Sequence, residues 1–326
     1  MEELKRIISG DWKKKDSKHG LVLTHPGIET FLLYDMGFPL REFAAFEVCL
    51  DSSKLGRLRE SLLNKVINMA IAADVLLLLE APTWRASPDF LRKLEYEIED
   101  LERVNDAAVK AQIQLQEEWK AKGLRSIVGA ELGPRGDGYI TGDSMSANEA
   151  EAYHKHQIQA LKKAGVEMIT AYTMTNLPES IGVARAAARS QVPIVISATV
   201  ETDGKLPDKT SLDAFITAID EELTKASLEK PLYYMINCAH PDHFDQVLLD
   251  GAGKEWRKRL KGIRANSSNK SHEELDNLET IDNGDPYQLG QSLSKWHLEN
   301  DVAVLGGCCG TDHRHIEQIL KHCNRI

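Results

Sequence analysis

Two cysteines stand side by side in Gly306-Gly307-Cys308-Cys309-Gly310, directly after the apolar run Val302 to Leu305. A third, Cys238, ends another such run, Leu232-Tyr233-Tyr234-Met235-Ile236-Asn237. Neighbouring side chains on a regular strand point to opposite faces. The flanking glycines are therefore expected to bend the backbone until both sulfurs of the pair face one point. Three thiols at strand ends form a candidate metal site with the fourth position left open. Three thiolates on Zn²⁺ carry a net charge of about −1, which suppresses Lewis acidity, whereas hydrolytic zinc sites favour neutral imidazoles. A thiolate-rich zinc suits another task. It lowers the pKa of a substrate thiol and leaves the sulfur electron-rich enough to attack an alkyl group. The chemistry expected of Cys238, Cys308 and Cys309 is alkyl transfer to sulfur.

The remaining reactive side chains read differently. Cys49 and Cys323 read as small buried hydrophobes. The vicinal pair Cys308 and Cys309 offers an alternative, a redox-active disulfide. His240, His243, His313 and His315 read as supporting or surface residues beside the cysteines. The glycine-rich Gly133-Pro134-Arg135-Gly136-Asp137-Gly138 is a weak candidate phosphate cradle, because it matches neither a dinucleotide fingerprint nor a P-loop. The acidic stretch 273–285 reads as solvated surface.

The elements that must position these residues alternate along the chain. Gly20 to Thr24 reads as a first strand and Arg57 to Ala73 as a helix, by its spacing of apolar residues. Asp74 to Glu80 is a continuous apolar run, the pattern of a parallel strand buried on both faces. Pro88 to about Lys122 reads as a long helix with a break at Asn105 or Asp106. Strands follow at Ser126 to Glu131, Glu167 to Tyr172, Pro193 to Thr199, the run ending at Cys238, Leu260 to Ala265, and Val302 to Leu305. Helices are expected between them, over Ser144 to Ala164, Pro178 to Ser190, Ser211 to Ala226, Pro241 to Leu249 and Pro286 to Glu299. Asp312 to His322 forms the last helix. Ser146 with Glu149 forms a capping pattern. Asn266 to Asp285 reads as a polar loop, and the first 18 residues as an N-terminal helix or arm.

Eight strand–helix alternations of this kind predict an α/β fold, a closed (β/α)₈ TIM barrel, as a single domain over residues 1–326. Such a barrel builds its site at the C-terminal ends of its strands. His25 and Glu29, Glu80 and Trp84, Glu131, Tyr172, Glu201, Asn237 and Asn266 all fall there, with the three cysteines. Cys238 and Cys308 follow strands six and eight, whose ends converge over the mouth.

The chain has 326 residues, 42% hydrophobic and 28% charged, which places it among ordinary globular proteins. A net charge of −10 argues against a nucleic-acid partner, which would call for a basic patch. No run approaches the roughly 18 apolar residues of a membrane helix, and the N-terminus lacks the apolar core of a signal peptide. Five cysteines in a chain this long are not a disulfide framework. A cytoplasmic location, where thiols stay reduced, is expected.

At Asn237-Cys238, Gly306-Gly307-Cys308-Cys309-Gly310 and Gly133-Pro134-Arg135-Gly136 the sequence resembles the homocysteine S-methyltransferase family, with its betaine-, S-methylmethionine- and folate-dependent members. Order and spacing agree from about residue 20 to 320. The resemblance implies a (β/α)₈ barrel in which Cys238, Cys308 and Cys309 hold Zn²⁺. The homocysteine thiolate would take a methyl group from a sulfonium, ammonium or methylfolate donor, in methionine biosynthesis. The partners implied are small molecules, a thiol acceptor and a methyl donor; the helical segment 88–122 is a candidate face for a homo-oligomer.

Two positions depart from the family. Its first strand usually ends in Asp-Gly-Gly or Asp-Gly-Ala; here His25 stands where the Asp would be. Its fourth strand commonly ends in a Phe-Glu-Thr type sequence; here Tyr172 replaces the Glu. Both carboxylates expected to hold the substrate ammonium are thus missing. Either Glu29, Glu80, Glu131 or Glu201 takes over, or the acceptor is another thiol or methylated substrate handled by the same zinc. Trp84, Tyr139 and Tyr172 are expected to face a cationic donor through cation–π attraction, and Asn237 and Asn266 to shape the pocket.

Overall fold

The structure, a computed structural model, describes residues 1–10, 20–142, 145–277 and 280–326. Eight parallel strands pair in chain order and close on themselves. They are β1 (Val22–Leu23), β2 (Leu76–Ala81), β3 (Ser126–Leu132), β4 (Met168–Met174), β5 (Ile194–Ala198), β6 (Tyr234–Asn237), β7 (Leu260–Ala265) and β8 (Val304–Gly307). This is the (β/α)₈ barrel expected from the alternation of elements.

Side chains alternate between two packing environments along each strand. On β2, Leu77, Leu79 and Ala81 join the shell beneath the helices. Leu76 and Leu78 join the barrel interior. This is why the strand reads as one continuous apolar run. The N-terminal helix Glu2–Ile8 places Leu4 and Ile7 in that same interior cluster with Val22, Ile127 and Val304, so it plugs one end of the barrel. The rest of the expected N-terminal arm, residues 11–18, lies outside the described residues. Further along the strands the interior turns polar. Glu80, Glu131, Thr170, Tyr172, Asn237 and Arg264 are all buried there, and this layer divides the apolar plug from the C-terminal mouth.

Three local expectations are corrected. Residues 88–122 form two helices, Pro88–Lys93 and Asp100–Lys120, so the break falls before Asn105. Glu95 has a left-handed φ of 64° just past the first of them, a conformation that ends a helix. Asn105 continues the second helix because its buried amide donates to Leu101 O and Ala86 O at 2.8 and 2.9 Å. The loop after β7 contains a short helix, His272–Asp276, with a Ser271–Glu274 capping box. The first strand is shorter than expected, Val22–Leu23. The Ser146–Glu149 capping box forms as its spacing predicts.

Candidate active site

Cys238 follows β6 and Cys308 follows β8, with β7 between them around the barrel. The Sγ atoms of Cys238, Cys308 and Cys309 lie within 4.8 Å of one another. Cys238 and Cys308 are joined as a disulfide, with Cα atoms 5.4 Å apart, and Cys309 is free. The two sulfurs so joined span two strand ends and are not the vicinal pair.

The expectation that flanking glycines bend the backbone holds at Gly310 but not at Gly306 and Gly307. Gly306 and Gly307 are needed for space: a Cβ on either would overlap Thr24 Oγ1 or Thr311 Oγ1. The left-handed turns fall instead at Gly310 (φ 76°) and at Cys238 itself (φ 52°). Asn266 ties the two cysteine-bearing ends together. Its Nδ2 donates to Cys238 O and its Oδ1 accepts from Cys309 N, both at 3.1 Å. His272 places one ring nitrogen 2.7 Å from Cys238 O and the other 3.0 Å from Glu201 Oε1. Tyr139 stacks on His272 at 4.0 Å, and its hydroxyl lies 3.5 Å from Cys309 Sγ. Burial pushes the Cys309 thiol pKa up. A buried thiol of this kind ionises when a cation stands beside it, and three sulfurs in one place fit a soft divalent metal.

Below the sulfurs the polar layer is closed on itself. Arg264 donates from Nη1 to Glu131 Oε1 at 2.7 Å, from Nε to Gly307 O at 2.7 Å and from Nη2 to His25 Nδ1 at 2.9 Å. Its guanidinium lies 4.7 Å over the Tyr172 ring. The Tyr172 hydroxyl donates to Glu80 Oε2 at 2.7 Å and Thr170 Oγ1 to Glu80 Oε1 at 2.6 Å. His25 Nε2 is 3.3 Å from Glu131 Oε1. Burial pushes the Glu80 carboxyl up. Burial also opposes ionisation of Glu131, but Arg264 and His25 outweigh it and hold that carboxyl below the usual range. His25, Glu80 and Glu131 also bring ligand-type atoms within 4.8 Å of one another. Arg264 already supplies that cluster's cation.

A cavity opens above this layer. Of the residues singled out from sequence, Glu29, Trp84, Glu131, Tyr172, Asn237, Asn266 and the three cysteines line it. His25 and Glu80 do not line it; they lie in the polar layer, and Glu201 stands behind His272. Tyr172 gives its ring to Arg264 and its hydroxyl to Glu80, so its expected role towards a cationic donor is already occupied from within. Trp84 donates from Nε1 to Thr173 Oγ1 at 2.8 Å. Asn237 Oδ1 accepts from Thr173 N at 2.9 Å and from Ser197 Oγ at 2.6 Å, holding Thr173 at a left-handed φ of 53°. Such a conformation is costly for a β-branched residue and persists only where its surroundings enforce it.

The glycine-rich loop 133–138 has a packing reason. A Cβ at Gly133 would collide with Trp84, and one at Gly138 would press on its ring. Among the described residues, none of His240, His243, His313 or His315 joins the sulfur cluster. Sequence reasoning passed over Arg264, His272 and Arg85, all of which line the cavity. The signal for Arg264 is visible afterwards: it is a charged residue on an inward position of the run 260–265.

Residues 35–323 match the family described as homocysteine S-methyltransferase. Among solved structures, the metallated form of the homocysteine methyltransferase MmuM from Escherichia coli superposes with a TM-score of 0.71 at 18% identity, covering 96% of this chain and 99% of that one. The oxidized form of the same protein gives a TM-score of 0.70 at 17% identity, over 96% of this chain and 98% of that one.

Proposed function

The chain belongs to the homocysteine S-methyltransferase family and is a methyltransferase, and from that premise we propose that it carries out zinc-dependent methyl transfer to the thiolate of homocysteine or a related thiol. The observation that carries this reading is the convergence of three sulfurs within 4.8 Å in the wall of an open cavity. Zn²⁺ held by Cys238, Cys308 and Cys309 would lower the pKa of the acceptor thiol while leaving its sulfur nucleophilic.

The protein's own groups have separate tasks. Asn266 fixes the spacing of Cys238 and Cys309 through both backbones. The Tyr139 hydroxyl orients the Cys309 sulfur. Tyr139 brings aromatic surface to the cavity, which suits a sulfonium or ammonium donor, whereas the Trp84 ring is already covered by the Arg85 guanidinium at 3.7 Å. The acceptor sulfur attacks the methyl carbon as the bond from methyl to donor breaks, and the donor keeps that electron pair.

The acids offer a specific candidate for the acceptor's ammonium group. Glu131 is paired with Arg264, Asp137 accepts from two backbone amides, and Asp282 accepts from Ser268 and Lys270. Glu29 lines the same cavity, and among the described residues its carboxylate makes no hydrogen bond or ion pair to another residue. We assign it the role that the two missing family carboxylates would play. A second reading, transfer to a different thiol, is favoured by the internal matching of Glu80 and Glu131, which leaves neither acid free for a substrate amine.

The test is a transfer assay on reduced, zinc-loaded protein with homocysteine. S-methylmethionine, S-adenosylmethionine, betaine and methyltetrahydrofolate are offered separately. Methionine formed with one donor, and lost in Cys308→Ala, supports the first reading and names the donor. No methionine from protein that retains zinc turns the search to other thiols.

A further inference from the structure

Arg85 carries a buried positive charge that no carboxylate among the described residues pairs with directly. It sits beyond the end of β2 and is only 6% exposed. Its guanidinium is sandwiched 3.7 Å from the Trp84 ring and 3.9 Å from the Phe90 ring. Nη1 donates to Gly136 O at 2.8 Å. Nε is buried without a hydrogen-bond partner. No carboxylate of the described residues lies within 4.0 Å of it. Asp137 exerts the strongest pull on it, yet that carboxylate is engaged by the amides of Tyr139 and Ile140 at 2.7 and 3.1 Å. Arg264 in the same cavity shows the contrast, since Nε, Nη1 and Nη2 of that residue all donate within the protein.

Buried charges are ordinarily paired, because their desolvation is costly. A guanidinium stacked between two aromatic rings keeps its hydrogen-bonding edge free and fixed in orientation, and that edge matches a carboxylate. Arg85 lines the cavity that holds the cysteines. We propose that Arg85 is a carboxylate-recognition subsite, receiving the carboxylate at the non-reacting end of a bound substrate. A carboxylate fits better than a phosphate. Arg85 is the one arginine of the cavity lining without a carboxylate partner among the described residues, Glu29 and Asp137 line the same cavity, and the neighbouring loop turns a carbonyl, Gly136 O, towards Arg85. The inference rests on the reading of this cavity as the substrate site.

Two sources of carboxylate are open, the acceptor and the donor, and calorimetry on reduced, zinc-loaded protein separates them. One arm compares 4-mercaptobutyrate with its methyl ester. The other compares S-methylmethionine with its methyl ester. The acid should bind roughly tenfold to a hundredfold more tightly than the ester in one arm. That ratio should collapse towards one in Arg85→Met and be partly kept in Arg85→Lys. Discrimination in the thiol arm assigns the acceptor's carboxylate to Arg85, and discrimination in the other arm assigns the donor's. Equal affinity for acid and ester in both arms of the wild-type protein overturns the proposal, as does a ratio unchanged in Arg85→Met. The wild-type comparison needs no variant, so a poorly folding substitution leaves the test intact. Acid selectivity without any methyl transfer would break the functional reading and leave the subsite standing. Transfer without acid selectivity would do the reverse.

Discussion

Arg264 on β7 and Glu131 on β3 meet across the barrel interior, Nη1 to Oε1 at 2.7 Å, both almost fully buried. The pair anchors a layer that also holds His25, Glu80 and Tyr172. A layer of matched charges gives the cavity a fixed polar floor without leaving a free acid in it.

Removing one partner of such a pair leaves the other buried and uncompensated. Arg264→Met should lower unfolding stability by about 3–5 kcal/mol, and Glu131→Gln by a comparable amount. The double variant should lose less than the sum of the two. Urea unfolding of all four proteins checks this; strict additivity would show that the residues do not act as a pair.

If Cys238, Cys308 and Cys309 hold Zn²⁺ as proposed, metal and disulfide compete for the same sulfurs. Reduced protein loaded with Zn²⁺ should hold one equivalent, and Cys238→Ala, Cys308→Ala and Cys309→Ala should each lose most of it. Mild oxidation should release the metal and reduce the count of alkylatable thiols by two, because Cys238 joins Cys308 while Cys309 stays free. Reduction followed by zinc should restore both. Metal analysis with thiol counting decides; a Cys309→Ala protein with full zinc would refute the three-sulfur site.

Glu29 is pushed up from 4.5 to about 7, by burial first and by Glu131 second. Between those two values the native, metal-free protein keeps a proton that the unfolded chain has released. Stability should therefore fall as pH rises through this window. In Glu29→Gln that loss disappears, so the variant should gain on the wild type between about pH 5 and pH 8. Chemical unfolding at both ends of the range measures it, and parallel profiles for the two proteins would count against it.

Gly306 packs where any Cβ would overlap Thr24 Oγ1. Gly306→Ala should cost on the order of 1–3 kcal/mol through overpacking. It should also weaken zinc retention, because Cys308 and Cys309 follow directly. Thermal unfolding and metal content should move together; a destabilised variant with undiminished zinc affinity would separate the two effects.

The sequence by itself determined the barrel and the metal-site candidates. Continuous apolar runs mark strands buried on both faces, and eight of them alternating with helical periodicity leave few other architectures. Cysteines at the ends of two such runs are legible because a strand end is a local feature. Capping boxes are legible for the same reason, as Ser146 with Glu149 illustrates. Only the tertiary structure decided which polar residues are already satisfied. Glu80 and Glu131 read as free acids in the chain, but Tyr172, Thr170 and Arg264 reach them from β4 and β7. Arg85 reads as one loop residue among several, and burial against Trp84 and Phe90 without an anionic partner among the described residues sets it apart. The reason is that periodicity reports which face a residue occupies, whereas charge matching depends on contacts between residues far apart in sequence, which only closure of the barrel brings together.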